Sequence, residues 1–160
     1  MATANFNLSV YNPSEVPLGS VYTIALVVSE WNTKITEPLF EGAYGTLIKH
    51  GVLVSNISRI NVPGSFELIY GAKHAQNQGV DAVIVIGSVI QGETKHFDFV
   101  CQGVTQGIKD LNIQSDIPVI FCVLTDNNLQ QALDRSGGKH GNKGVEAAIA
   151  ALKMASLSKQ

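Results

Sequence analysis

Three stretches of this chain are apolar without alternation: Val21 to Ser29, Ala82 to Ile86 and Pro118 to Leu124. Strands covered by helices on both faces read this way, because neither side of the pleat meets water. A fourth stretch, Ile57 to Val62, is more polar and predicts an edge strand, broken by Pro63-Gly64. Between these stretches the period changes to three or four. Ile35, Leu39, Ala43 and Leu47, with Phe40, Tyr44 and Ile48 beside them, predict a helix that ends at Gly51 and holds Pro38 in its first turn. Ser65 is expected to cap a second helix whose inward face is Phe66, Ile69, Ala72 and Ala75. Phe97, Val100, Cys101, Val104, Ile108 and Leu111 predict a third, beginning near Lys95. Thr125-Asp126-Asn127 starts a short helix over Leu129 to Arg135, Gly137-Gly138 interrupts it, and Val145, Ala148, Ile149, Leu152 and Ala155 face a last one. Strands alternating with helices, joined by right-handed crossovers, predict an α/β fold: a three-layer α/β/α sandwich on a central four-stranded parallel sheet. Residues 1–20 are mostly polar and contain Pro13 and Pro17, so they make at most an N-terminal edge strand or an arm.

With 160 residues, 45% of them apolar and 15% charged, the chain suits one domain spanning residues 1–160. A net charge of -2 provides no basic field for nucleic acid and no polybasic patch for a membrane, so small molecules and copies of itself are the expected partners. The apolar runs are strand-length and the first residues lack a signal peptide's pattern, which leads to a cytoplasmic expectation. Cys101 and Cys122 lie inside apolar patterns and read as small core residues.

The strand Ala82–Ile86 is followed by the loop Gly87 to Thr94, where an open α/β sheet places its ligands. The loop nearly spells a phosphate-binding P-loop, but Glu93 stands where the lysine belongs, and a carboxylate there repels a triphosphate. In a parallel sheet the strand ends Trp31-Asn32, Ser65-Phe66-Glu67, Ser88 to His96 and Phe121 to Asp126 converge on one rim. Trp31 either stacks on a ligand or packs as core. Glu67 either contacts a ligand or favours its helix's amino end. His96, at a helix start beside a glycine-containing loop, is a proton-transfer residue or a structural histidine. His50, His74 and His140 read as surface positions. Of the two arginines, Arg59 belongs to a solvated face. Arg135, with Lys139 and Lys143 near, forms either an anion site or an exposed cluster.

Three motifs taken together resemble the 6,7-dimethyl-8-ribityllumazine synthase family. They are Val62-Pro63-Gly64-Ser65-Phe66-Glu67, the loop from Gly87 to Asp98, and Arg135 followed by Gly137-Gly138-Lys139-His140-Gly141-Asn142-Lys143-Gly144. The likeness runs from about Val21 to Leu157 in order and spacing. It implies a flavodoxin-like fold and the penultimate step of riboflavin synthesis. In that step 5-amino-6-ribitylaminouracil and 3,4-dihydroxy-2-butanone 4-phosphate condense without a metal or organic cofactor. By this resemblance Trp31 stacks on the pyrimidine, and Ser65, Phe66, Glu67, Ser88, Val89 and Ile90 hold the pyrimidine and its ribityl chain. Glu93 and Thr94 lie by the phosphate sugar, and His96 shuttles protons. Phe121 and Arg135 come from a neighbouring subunit, Arg135 clamping phosphate, with Lys143 a further phosphate-side candidate. The chain departs from the commoner pattern at Trp31, Ser65, Ser88 and Gln91; Gln91 removes a cation near the phosphate and bears on affinity.

The resemblance also implies a homo-oligomer: a pentamer, with pentamers closing into an icosahedral shell of about sixty subunits in some members. Extra residues at the bend around Gly137-Gly138 would obstruct that closure, and this chain has the compact form, whereas Pro13 and Pro17 weigh against an arm that adds a strand to a neighbour. Two rivals remain at this point: a non-catalytic flavin- or nucleotide-binding module using the same rim, and a purely structural shell protein.

Overall fold

The computed structural model describes residue 7 and residues 9–159. Its main sheet has four parallel strands in the order β2-β1-β3-β4, from β1 (Ile24–Ser29), β2 (Ile57–Val62), β3 (Ala82–Ile90) and β4 (Val119–Asp126). Helices α1 (Thr33–Lys49), α2 (Leu68–Gln76), α3 (His96–Gln114), α4 (Leu129–Arg135) and α5 (Lys143–Leu157) follow in chain order, and β5 (Ser136–Gly138) with β6 (Gly141–Asn142) makes a small hairpin between the last two. The apolar runs become buried strands because alternate residues enter two separate cores. Ile24, Leu26, Val28, Ile84, Ile86, Cys122 and Leu124 pack with Leu39, Ala43, Leu47 and Leu152 of α1 and α5. Ala25, Val27, Val83, Val85 and Val123 pack with Leu68, Ala72, Val104 and Ile108 of α2 and α3. Each fully buried leucine or isoleucine contributes about 1.5–3 kcal/mol through water exclusion. The three-layer sandwich follows, with β2 at one edge and β4 at the other.

Helices α1 and α5 approach closely because two glycines make room. A Cβ at Gly144 would fall on the Leu39 carbonyl oxygen, and one at Gly42 would lie 2.5 Å from Asn142 Oδ1. Asn142 fills that gap: its side chain accepts from Gly144 N at 2.8 Å and donates to Pro38 O at 2.8 Å.

Several local expectations change. Pro38 lies in the second turn of α1, where the missing N–H falls opposite exposed Lys34, whose carbonyl can turn to water. Ser65 does not cap α2, which begins at Leu68; the buried face is Leu68, Gly71, Ala72 and Ala75, while Phe66 is exposed and Ile69 half-buried. Strand β3 runs to Ile90, because β4 pairs beside it as far as Ile90↔Asp126, so the connecting loop shrinks to residues 91–95. Thr125 and Asp126 belong to β4, and the cap of α4 is Asn128, whose side chain accepts from Gln131 N at 3.0 Å. His50 is not a surface residue: it is buried at the end of α1, 3.0 Å from the Tyr11 hydroxyl, and burial and neighbouring Lys49 lower its pKa.

Among the described residues no strand precedes β1; Pro13–Glu15 forms a 3₁₀ turn capped by Asn12, and residues 1–6 and 8 lie outside the described part. The segment is held as an arm by Ser9 Oγ donating to Asn142 O at 3.2 Å and by Tyr11 on His50.

Candidate active site

The exits of three neighbouring strands are tied together at the carboxyl rim. Glu30 N and Trp31 N donate to Val62 O and Pro63 O at 2.8 and 3.2 Å, joining the ends of β1 and β2. Asn32 adopts the left-handed conformation, φ 61°, which asparagine tolerates better than most residues. From there its Nδ2 donates to Ser88 O at 2.9 Å, joining β1 to β3. The Trp31 indole is 68% exposed and lies against Gly64, where a Cβ would come within 2.9 Å of the ring. Thus the Pro63-Gly64 break that ends β2 also seats the tryptophan.

Ser65 is buried under this turn, and Gly87 lets it approach: a Cβ there would be 2.7 Å from Ser65 Oγ. Phe66, 53% exposed, lies over α3 at Gly103, where a Cβ would be 2.7 Å from its ring. Ser88 is buried, and its hydroxyl has no hydrogen-bond partner among the described residues. A buried hydroxyl without a partner costs about 1–3 kcal/mol, which a polar ligand group would offset. His96 is the first residue of α3; its backbone N–H reaches Thr94 Oγ1 at 3.4 Å, and its side chain is exposed at the rim.

These elements enclose a cavity of about 550 Å³ lined by Trp31, Asn32, Ser65, Phe66, Glu67, Ser88, Val89, Ile90, His96, Phe99 and Val100. That volume suits a small molecule, and its mix of apolar walls with a few polar groups is that of a ligand pocket. The sequence-derived candidates from the first three strand ends and His96 therefore meet in one place. Others do not line it. Glu93 and Thr94 sit exposed in the adjoining loop. Phe121 is half-buried on edge strand β4. Arg135 is only 12% exposed, bonded to His140 O at 2.9 Å and paired with Glu146 at 2.6 Å, while Lys143 shares Glu146 at 3.4 Å.

Phe99 and Val100 line the cavity and were missing from the sequence-derived set, and Asn32, placed at the rim by the sequence but given no role there, lines it too. Phe99 carried a legible signal: it lies off the Val104, Ile108 and Leu111 face of α3 and is 68% exposed. A large aromatic turned away from the core invites a ligand or a partner. Cys122 is a core thiol, as its pattern suggested, and burial pushes it up to about 12; Cys101 is instead half-buried on α3, outside both cores, and partial burial with neighbouring Asp98 raises it. Neither is a ready nucleophile.

The sequence profile of the 6,7-dimethyl-8-ribityllumazine synthase family matches residues 22–159. The chain belongs to this family. It is 67% identical to the 6,7-dimethyl-8-ribityllumazine synthase of Flavobacterium johnsoniae, over 100% of this chain and 85% of that protein. Identity is 63% to the synthase of Christiangramia forsetii, over 99% of this chain and 96% of the relative. It is 55% to that of Porphyromonas gingivalis, over 99% of both. As a lumazine synthase family member the protein is a transferase of riboflavin biosynthesis with small-molecule substrates, and the rival readings as a carrier module or inert shell protein are not favoured. The flavodoxin-like sandwich agrees with that membership. Among the described residues no helix is long and apolar enough to cross a membrane.

Proposed function

We propose that the rim cavity binds 5-amino-6-ribitylaminouracil and 3,4-dihydroxy-2-butanone 4-phosphate and joins them into 6,7-dimethyl-8-ribityllumazine, releasing phosphate and water. The observation that carries this reading is the convergence of Trp31, Ser65, Phe66, Glu67, Ser88, Val89, Ile90 and His96 on one cavity. The Trp31 indole stacks on the pyrimidine, because an exposed aromatic face at the mouth of a pocket gains most when a flat ring covers it. Ser65, Glu67 and the unpartnered Ser88 hydroxyl give the ribityl chain and the ring amide polar partners, and Phe66, Val89 and Ile90 supply the apolar walls. Glu93 and Thr94, in the loop leading to His96, lie by the phosphorylated sugar.

The reaction adds an aromatic amine to a ketone, eliminates water and phosphate, and closes the ring with the second amine. Each step moves protons, and His96 takes and returns them from the mouth of the cavity. Arg135, supplied by a neighbouring subunit with Phe121, holds the phosphate through charge-assisted hydrogen bonds, exchanging part of its pairing with Glu146 for the substrate; Lys143 adds a second cation. Two facts support the shared site: Phe121 lies on a sheet edge that has no further strand among the described residues, and Arg135 does not line its own chain's cavity. Incubating the protein with both substrates is expected to yield lumazine absorbance and phosphate in equal amounts. Absence of both products would overturn the assignment.

The assembly we infer is a pentamer, with pentamers closing into an icosahedral shell of chains that each fold as one domain. Exposed Tyr70, outside the cavity, is apolar surface of the kind that subunits cover, and β4 leaves an edge that a neighbour protects. The bend between α4 and α5 stays compact as the β5–β6 hairpin, with Gly137 at φ 126° and Gly141 at φ 85°, which supports a reading in which an adjoining pentamer has room to dock there. Free Cys101 and Cys122 suit a cytoplasmic setting. Light scattering at neutral pH is expected to report a particle of about sixty chains; one no larger than five chains across dilutions and buffers would remove the shell.

A further inference from the structure

Asn142 does more than fill the gap between α1 and α5: the arm, α1, the β5–β6 hairpin and α5 all bond to it. It caps α5, its Oδ1 accepting from Gly144 N at 2.8 Å, and its Nδ2 donates to Pro38 O of α1 at 2.8 Å and to Ser136 O of the hairpin at 3.3 Å. Its backbone faces the arm, where Ser9 Oγ donates to Asn142 O at 3.2 Å and accepts from Asn142 N. The arm lies close here, since a Cβ at Gly141 would fall on Asn7 Oδ1 and Ser9 Oγ. An asparagine suits the position because a short amide carries an acceptor and two donors at once; aspartate would lack both donors. Among the described residues, both partners of the Arg135 guanidinium lie on segments that Asn142 fixes. Nη1 donates to His140 O at 2.9 Å, in the hairpin, and Nη2 pairs at 2.6 Å with Glu146, in the first turn of the helix that Asn142 caps. Ser136, which accepts from the Asn142 amide, directly follows Arg135 in the chain.

We propose that Asn142, latched to the arm by Ser9, is a positioning residue for Arg135: it sets the direction in which the guanidinium meets the substrate's phosphate. The inference rests on the reading of Arg135 as the phosphate clamp. A two-pronged grip on phosphate needs a fork aimed one way, and a long arginine side chain is aimed by the carbonyl and the carboxylate that it bonds. Without the Nδ2 bonds of Asn142 the hairpin is no longer tied to α1, so His140 O and Glu146 no longer hold a fixed spacing. The fork then loses its aim while its charge remains. Asn142 acts through Arg135 alone, so its effect falls on the phosphorylated substrate and spares the amine.

Asn142→Ser makes the test, because serine keeps an acceptor for the cap of α5 and loses both amide donors. Inorganic phosphate, used as a competitive inhibitor of the assembled enzyme, is expected to inhibit this variant roughly 2- to 10-fold more weakly, the span of one lost hydrogen bond. The KM for the phosphorylated substrate is expected to rise with it, while the KM for the amine stays unchanged. Added to Arg135→Ala, the substitution is expected to weaken phosphate inhibition no further, since nothing is left for it to position. Unchanged inhibition in Asn142→Ser, parallel changes in both KM values, or a further loss on top of Arg135→Ala overturns the inference. Should Asn142→Ser not assemble, Ser9→Ala is expected to weaken phosphate inhibition in the same direction and Ser9→Thr, which keeps the hydroxyl, to restore it; no effect of Ser9→Ala, or an equal effect of Ser9→Thr, then overturns it. Arg135→Ala alone separates the two readings. If it leaves phosphate inhibition unchanged, the clamp falls and this inference with it; if it weakens inhibition while Asn142→Ser has no effect, only the role of Asn142 falls.

Discussion

His96→Ala is expected to fold and assemble normally while turnover falls by roughly 10²- to 10⁴-fold, the range for loss of a positioned acid or base. The side chain is exposed at the first position of α3 and supports no packing, so its removal leaves both cores intact. Because the proposed role is proton transfer rather than binding, the loss belongs in kcat, with the KM values little changed. Steady-state kinetics with both substrates, alongside a thermal melt of each protein, make the comparison. Wild-type turnover in the variant would remove His96 from the mechanism, and a collapsed melting temperature would mean that the histidine is structural after all.

Mixing His96→Ala and Arg135→Ala subunits is expected to restore activity that neither variant has alone. If His96 and Arg135 meet across a subunit boundary, random mixing around a closed ring leaves about one site in four with both residues intact. The subunits are unfolded and refolded together so that preformed rings do not block exchange, and mass measurement confirms the mixed species. The geometry gives this test its force. His96 lines the cavity of its own chain, whereas Arg135 sits at the end of α4, paired with Glu146. No recovery in confirmed mixed rings would return both residues to one chain's site.

Much of the site was legible because strand ends and helix starts carry their own chemistry. An apolar run that stops at Trp31-Asn32, or a more polar strand broken by Pro63-Gly64 before Ser65, marks the carboxyl rim without knowledge of the fold, and a parallel sheet brings such ends together. Phe66 was harder. Its spacing with Ile69, Ala72 and Ala75 matches a helical face, yet α2 begins only at Leu68, so Phe66 falls in the preceding turn and projects over Gly103. His50 failed for the opposite reason: a polar residue at a helix end reads as solvent-exposed until the arm carrying Tyr11 folds across it.

The sequence by itself determined the alternation of strand and helix, the two-sided burial of β1 and β3, and the family, since all of these depend on residue types at short range and on motifs in order, whereas β4, equally apolar, is an edge strand with Ile120 and Phe121 half-buried. Tertiary structure decided what depends on neighbours distant in the chain. Strand β3 extends to Ile90 because β4 pairs with it there, replacing a loop whose backbone would otherwise be left to water. Asn32 enters the site because its side chain bonds Ser88 O, fifty-six residues away. Arg135 and Glu146 are paired because the β5–β6 hairpin returns the chain so that the first turn of α5 comes beside the last residue of α4. Periodicity reports which face of an element is apolar, but a hydrogen bond or ion pair between elements exists only once packing has brought both partners within reach.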